Sequence, residues 1–138
     1  MVLGADVSHV SGAQGHLKPS LATVTGSIDK YATRYVAAAR NQTAGQEIIE
    51  DLASMVSFCV REYVKSHCPP GQPRMLPEKI IFYRDGVSEG QFEKVLKEEL
   101  PKIREGIQQL GPPAAQLQRL KITVCIVRFV HCLFLFIP

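Results

Sequence analysis

The sequence contains few of the features that would assign a function from composition alone. Its 138 residues carry a formal net charge of only +3, a basic excess too small to indicate nucleic-acid binding by itself. The four cysteines form no Cys-x-x-Cys pair, so we predict buried or surface thiols rather than a zinc module. Because no basic segment precedes an apolar run at the N-terminus, we predict no signal peptide and a reducing, intracellular environment.

The residues that are present indicate one packed domain built from both strands and helices. Hydrophobic residues make up 46% of the chain and charged residues 21%, which favours a folded core over disorder. Apolar or β-branched segments predict strands, and apolar residues at helical spacing predict two long helices. The predicted strands lie at residues 2–6, 19–28, 31–40, 80–83 and from 120 onward, and the predicted helices at 43–65 and 89–110.

This order of elements predicts an α/β fold with a mixed sheet. Three strands in succession indicate an antiparallel meander, and the helices that follow indicate βαβ crossovers packed on the sheet. In such a sheet the first and fourth strands can lie side by side. Asp6 ends the first strand and Asp85 the fourth, so we expect both carboxylates at the same edge.

The segment Ile80–Phe92 is the best-defined unit in the sequence. It reads as a short apolar strand, an Asp85-Gly86 turn, and a helix that opens with a capping box formed by Ser88 and Gln91. The unit alone explains Asp85 equally well as a site residue or as part of a common turn pair.

Two neighbouring carboxylates at a sheet edge would favour a divalent cation. Asp6 and Asp85 would repel each other, and a bound cation relieves that repulsion. Oxygen-only ligands suit Mg²⁺ or Mn²⁺ better than zinc, and paired ions of this kind serve phosphodiester cleavage. Glu47 falls in the first turn of a predicted helix, where an acidic residue complements the helix dipole, so the residues alone favour a structural role for it.

Three segments of the chain resemble the PIWI domain of Argonaute proteins, in that family's order and at about its spacing. They are LGADVSH at residues 3–9, QEIIEDL at 46–52 and IIFYRDGVSEGQF at 80–92. The resemblance covers about residues 1–123, and it implies an RNase H-like fold that is incomplete at the C-terminus. The long match around Asp85 argues against a different RNase H-like nuclease or an integrase.

The resemblance implies a function and a set of site residues. Asp6 and Asp85 fall on the two catalytic aspartates that hold Mg²⁺ (or Mn²⁺), and Glu47 falls on the catalytic glutamate carried by a mobile finger. The implied activity is endonucleolytic cleavage of a target RNA opposite a small guide RNA. The implied setting is RNA silencing in the cytoplasm, with the nucleus as an alternative, silencing-complex proteins as further partners, and no membrane.

The sequence also departs from the family pattern in three places. Val10 follows His9 where the family usually has proline, and residues 127–132 stand where the family has a basic, His-rich segment. The family's fourth catalytic residue, His or Asp, lies downstream of the last residue here. We therefore expect an unfinished active site, with a catalytically inactive nucleic-acid-binding or scaffold fragment as the alternative function.

Residues 124–138 form an atypical apolar tail after the partial PIWI domain of residues 1–123. Arg128 is their one formal charge, and together with His131 it interrupts an apolar stretch that is already too short for a membrane span. Val124-Cys125 can be encoded by a GTATGT-type hexamer, the form of an intron's 5′ splice donor. We expect the tail to be either a divergent strand or translated intron.

Overall fold

A mixed six-stranded sheet forms the centre of the protein, in the strand order β3-β2-β1-β4-β5-β6. The computed structural model describes residues 1–12, 17–72 and 75–127, and the backbone of residues 132–136. The strands are β1 (Val2–Ser8), β2 (Ser20–Ser27), β3 (Tyr35–Gln42), β4 (Lys79–Asp85), β5 (Lys121–Val127) and β6 (Cys132–Phe136). The α-helices are α1 (Leu52–His67), α2 (Phe92–Lys94), α3 (Leu100–Gln108) and α4 (Ala114–Arg119).

The pairing of β1 confirms the predicted α/β mixed sheet. β1 pairs antiparallel with β2 and parallel with β4, and β4 pairs parallel with β5. Alternate residues of β1 face the core, namely Leu3, Ala5 and Val7, which is the period-two pattern of a strand. The first and fourth strands are therefore neighbours, as the order of elements predicts.

One face of the sheet is covered by helices that approach each other closely. α1 packs against β2, β3 and α3, and its buried residues include Leu52, Met55 and Val56. A Cβ atom added to Gly106 in α3 would lie 2.2 Å from the carbonyl oxygen of Ala53 in α1. The contact between the two helices therefore requires glycine at this position.

The third strand begins later than the sequence predicts. The predicted tight turn at Asp29-Lys30 is instead a longer loop, and β3 begins at Tyr35. The Asp29 carboxylate accepts hydrogen bonds from the backbone N–H groups of Thr33 and Arg34, both at 2.9 Å. These bonds, with Arg34 contributing most, lower the pKa of Asp29 and fix the loop in place of a two-residue turn.

The first helix also begins later, so the predicted cap at Thr43 is wrong. α1 starts at Leu52, and residues 43–51 form a loop, which we call the Glu47 loop. Glu47 is therefore outside the helix, and the dipole explanation for it is wrong.

The predicted second helix is interrupted close to Pro101. It comprises a 3₁₀ turn at Glu89–Gln91, then α2, a π turn at Val95–Glu99, and α3. Proline lacks an N–H group and its ring crowds the carbonyl four residues earlier, and the π turn accommodates both effects. The short α4, after Pro112-Pro113, is absent from the sequence prediction.

The apolar tail contributes to the sheet. Residues 121–127 form β5, and β6 pairs antiparallel with it through Thr123–Val127. Residues 128–131 and 137–138, which include Arg128 and His131, lie outside the described residues. The boundary at residue 123 and the intron origin of the tail stay predictions.

Within the described part of the chain, no helix is both long enough and apolar enough to cross a membrane.

We predict that Gly106→Ala lowers the free energy of unfolding by about 2 kcal/mol, because a backbone carbonyl cannot yield to the new methyl group. Gly90→Ala is the matched control, since its added Cβ would meet no atom within 4 Å. Urea denaturation of both variants measures the difference, and equal stabilities would contradict the close helix contact.

Candidate active site

The structure brings Asp6 and Asp85 to one edge of the sheet. The parallel pairing of β1 with β4 extends to Ala5 and Arg84, and each aspartate is the next residue along its strand. Both side chains line an open cleft of about 370 Å³, which we call the aspartate cleft. The other lining residues are Gly4, Ala5, Thr23, Thr25, Tyr83 and Val127.

Local backbone groups orient both carboxylates. Asp6 Oδ1 accepts a hydrogen bond from the N–H of Val7 at 2.8 Å, and Asp85 Oδ1 accepts one from the N–H of Gly86 at 2.7 Å. In the described part of the chain, the second oxygen of each carboxylate has no hydrogen-bond donor. One oxygen on each aspartate is therefore available to a ligand in the aspartate cleft.

The turn after β4 lies against Asp6. Gly86 has φ of 79°, a left-handed conformation that glycine adopts without a steric penalty. A Cβ atom at this position would lie 3.1 Å from Asp6 Oδ1. Glycine is needed here both for the backbone turn and for the close approach of the two aspartate-bearing segments.

Glu47 is not brought into the aspartate cleft. Its Oε1 lies 2.7 Å from His9 Nε2, and His9 Nδ1 lies 2.7 Å from the hydroxyl oxygen of Ser20. Among the residues the structure describes, no group of three or more His, Cys, Asp or Glu side chains could hold a metal ion. Two of the three predicted site residues, Asp6 and Asp85, therefore line the same cleft. The third, Glu47, is paired with His9.

Side chains from the surrounding elements hold the backbone of the Glu47 loop. Gln42 donates to the carbonyl oxygens of Gln46 at 2.6 Å and Ile48 at 3.2 Å, and its amide oxygen accepts the N–H of Glu50 at 3.2 Å. Ile48 and Ile49 are buried in the core. The polar backbone groups of a buried loop need hydrogen-bond partners. Here the side chain of Gln42 provides bonds that the backbone itself would provide in a helical turn.

Arg84 and Glu99 form a buried ion pair beside the aspartate cleft, and sequence reasoning missed both. Each side chain is 0% exposed, and Arg84 Nε lies 3.1 Å from Glu99 Oε2. Burial raises the pKa of Glu99, while the Arg84 charge opposes that shift. A signal was present, because Arg84 occupies the inward phase of β4 together with the apolar Ile80 and Phe82.

The aspartate cleft fits a hard divalent cation. Two carboxylates with free oxygens in an open cleft match the one or two protein carboxylates that Mg²⁺ commonly uses together with water and substrate phosphates. Among the described residues that line the cleft, the side-chain ligand groups are oxygen atoms, which Mg²⁺ and Mn²⁺ prefer.

We predict that Gly86→Ala destabilises the protein by about 1 kcal/mol more than Gly111→Ala. Both glycines have positive φ, but an added Cβ meets Asp6 only at Gly86 and meets nothing within 4 Å at Gly111. Thermal unfolding of the two variants measures the contribution of the contact with Asp6. An equal loss of stability in both variants would show that the added Cβ atom at Gly86 does not clash with the Asp6 carboxylate.

The fold agrees with comparisons to known proteins. The Piwi domain family model matches residues 1–137. The MID-PIWI domains of N. crassa QDE-2 AGO share 31% identity, over 97% of this chain and 36% of that chain, with a TM-score of 0.73. The C-terminal lobe of a budding yeast Argonaute shares 30% identity, over 99% of this chain and 26% of that one, with a TM-score of 0.75.

A third similar structure is Kluyveromyces polysporus Argonaute with a guide RNA. The two chains share 30% identity, and the match covers 99% of this chain and 16% of the Argonaute chain, with a TM-score of 0.73. The present chain thus spans between 16% and 36% of the length of these three structures. The chain belongs to the Piwi domain family of Argonaute proteins, and its mixed sheet has the RNase H-like fold of that family.

Proposed function

We propose that this chain is the Piwi-domain part of a small-RNA-guided Argonaute, whose parent activity is metal-dependent cleavage of a target RNA. One observation carries the proposal: Asp6 and Asp85 line a single open cleft, each one residue beyond the parallel pairing of β1 with β4. The similarity to an Argonaute that holds a guide RNA supports nucleic acid as the ligand. A complementary target RNA, silencing-complex proteins and a cytoplasmic or nuclear setting stay predictions.

Asp6 and Asp85 would hold Mg²⁺ or Mn²⁺ through their free carboxylate oxygens. Such a cation neutralises charge on a phosphate and activates water for attack on phosphorus. The chain's own contribution is to fix both carboxylates through the N–H groups of Val7 and Gly86 before any ligand arrives. This preorganisation reduces the reorganisation needed when the ligand binds.

Glu47 would take part only after its contact with His9 is broken. Its side chain is 27% exposed, and the residue lies on a loop rather than in a helix. A side chain in this position can change rotamer without unfolding a regular element. We therefore propose Glu47 as a third catalytic residue that joins the aspartates when its side chain changes rotamer, with the backbone of the loop held in place.

Titration of the 138-residue chain with Mn²⁺ tests the metal site. We expect Asp6→Asn and Asp85→Asn each to weaken Mn²⁺ binding about a hundredfold, because each removes one of two charged oxygen ligands. Isothermal titration calorimetry measures the affinity. Glu62→Gln is the matched control, since Glu62 pairs with Lys65 on α1 and does not line the aspartate cleft.

Two outcomes would contradict this assignment. Wild-type protein that binds no Mn²⁺ at millimolar concentration would remove the metal site. Equal loss of affinity in the Glu62→Gln control would show that the titration reports general negative charge rather than the aspartate pair.

A second candidate function is nucleic-acid binding without cleavage by this chain. It is favoured by the position of Glu47, which contacts His9, so that Asp6 and Asp85 are the acidic residues among the described residues of the cleft lining. A fragment of this kind would bind a guide–target duplex weakly through its mild net charge of +3. Its affinity would fall readily as salt concentration rises.

We predict negligible Mg²⁺-dependent cleavage of a guide-paired RNA by the isolated chain, and duplex binding that weakens between low and moderate salt. Gel assays of product and fluorescence anisotropy of the duplex measure the two properties. Robust cleavage that Asp85→Ala abolishes would contradict the first part. Nanomolar, salt-resistant binding would contradict the second.

A further inference from the structure

The strand residues that point away from the helices form a second face of the sheet, which we call the open face. Along each strand, the residues of the core cluster belong to one alternating phase, for example Leu3 in β1 and Ile80 in β4. The other phase exposes apolar side chains, with Leu21 42% and Ile81 38% exposed. Because parallel strands usually occur in sheets that are covered on both faces, the open face is a candidate interaction surface.

The charged strand residues described on the open face lie at its two ends. Asp6 and Asp85 form the acidic end, in the aspartate cleft. Lys79 begins β4 and has the same phase as Asp85, which ends that strand about 20 Å away. Lys121 is the register partner of Lys79, just as Val127 is the register partner of Asp85, so Lys121 shares this face. The open face is therefore acidic at one end and basic at the other.

Each end of the open face carries two like charges. Lys79 and Lys121 are neighbours on paired strands, so their ammonium groups repel each other, as do the carboxylates of Asp6 and Asp85. The salt bridges within the described residues involve none of these four side chains. A partner with the opposite charge at each end would relieve both repulsions.

We propose that the open face binds a second copy of this chain, in a two-fold symmetric dimer with the strands of the two copies antiparallel. A two-fold axis across the middle of the sheet places the basic end of each copy over the acidic end of the other. Lys79 then faces Asp85 of the partner subunit, and symmetry repeats this contact once. Packing with parallel strands would instead oppose like charges at both ends.

The dimensions of two packed sheets suit this arrangement. Sheets packed face to face lie about 10 Å apart, a gap that an extended lysine and an aspartate span together. Ile81 and Tyr83 lie on either side of the midpoint between Lys79 and Asp85. The axis therefore sets Ile81 against Tyr83 of the partner subunit, and this contact removes exposed apolar surface from water.

Analytical ultracentrifugation of the 138-residue chain, over a wide range of protein concentration, tests the proposal. We expect a monomer–dimer equilibrium for the wild type. We expect Lys79→Glu to raise the dimer dissociation constant at least about a hundredfold, because like charges then oppose each other twice in every dimer. Lys121→Glu makes the same test at the paired position if Lys79→Glu does not fold.

Mixing two defective variants tests which residues face each other. Asp85→Lys alone should also be monomeric, since lysines then oppose lysines. An equimolar mixture of Lys79→Glu and Asp85→Lys restores opposite charges at both contacts, so we expect a heterodimer with nearly the wild-type affinity. Two folded variants that form no heterodimer would overturn the proposal.

Lys65→Glu is the matched control. It makes the same change in net charge, but Lys65 lies on α1, on the side of the sheet that the helices cover. We expect an unchanged dimer dissociation constant. A loss equal to that in Lys79→Glu would show that association follows net charge alone, and would overturn the proposal.

Two further results would contradict the assigned surface. A wild type that stays monomeric at every concentration would leave the open face to a different occupant, such as an amphipathic helix of another protein. A dimer that persists unchanged in Lys79→Glu would place the contact elsewhere, for example at the edge strand β3. Either result overturns the proposal.

The dimer and a divalent cation would compete for the same carboxylates, a consequence that rests on the proposed function. We expect saturating Mn²⁺ to raise the dimer dissociation constant about tenfold, because the cation neutralises the charge that the partner's lysines contact. Mn²⁺ that binds and leaves the dimer intact would overturn the placement of Asp85 in the interface. If calorimetry detects no Mn²⁺ binding, the metal assignment fails, while the mixed variants still decide whether the open face dimerises.

Discussion

The parallel pairing of β1 with β4 is the constraint on which the candidate site depends. The two strands are 70 or more residues apart in sequence, and their backbone hydrogen bonds fix a register that ends at Ala5 and Arg84. Because parallel strands run to the same edge, that register sets Asp6 beside Asp85 in the lining of one cleft. A shift of one residue would send one aspartate to the opposite face.

The buried ion pair illustrates how the protein places a non-regular segment accurately. The Glu47 loop has no helical or sheet ladder, so its backbone groups bond to the side chains of Gln42, Arg84, Glu99 and Lys102. Each of these bonds fixes the position of one backbone group of the loop. Unsatisfied groups at the same depth would cost about 1–3 kcal/mol each, so the alternatives to this loop conformation are few.

Much of the fold follows from sequence patterns, and the exceptions have physical causes. Short apolar segments ended by Asp6 and Asp85 identify β1 and β4, and the order of elements identifies their adjacency. The start of α1 could not be predicted, because Thr43 and Gln46 imitate a capping box while long-range side-chain bonds from Arg84, Glu99 and Lys102 favour a loop. Local propensity contains no information about partners that are distant in sequence.

The residues of the site likewise divide into those that local sequence patterns predict and those that depend on tertiary contacts. Asp85 was predictable because it ends β4, and Asp6 because it follows the apolar start of β1, although β1 continues to Ser8. The pairing of Glu47 with His9 depends instead on a loop conformation set by tertiary contacts. Arg84 was visible as a charge in an inward strand position, but its partner was not. Glu99 lies fifteen residues later in a helix segment rich in acidic residues, and nothing local distinguishes it from exposed neighbours such as Glu98.

The π turn at Val95–Glu99 has a consequence for how relatives of this chain should be aligned. A π turn holds one residue more than an α-helical turn, so it acts as a single-residue insertion within the helix. Each residue of an α-helix advances the face by about 100°, so removing that residue would rotate Glu99 away from Arg84. A related sequence with a one-residue gap at this point would therefore not place a carboxylate at the position of Glu99. Its buried arginine would need a different hydrogen-bond partner.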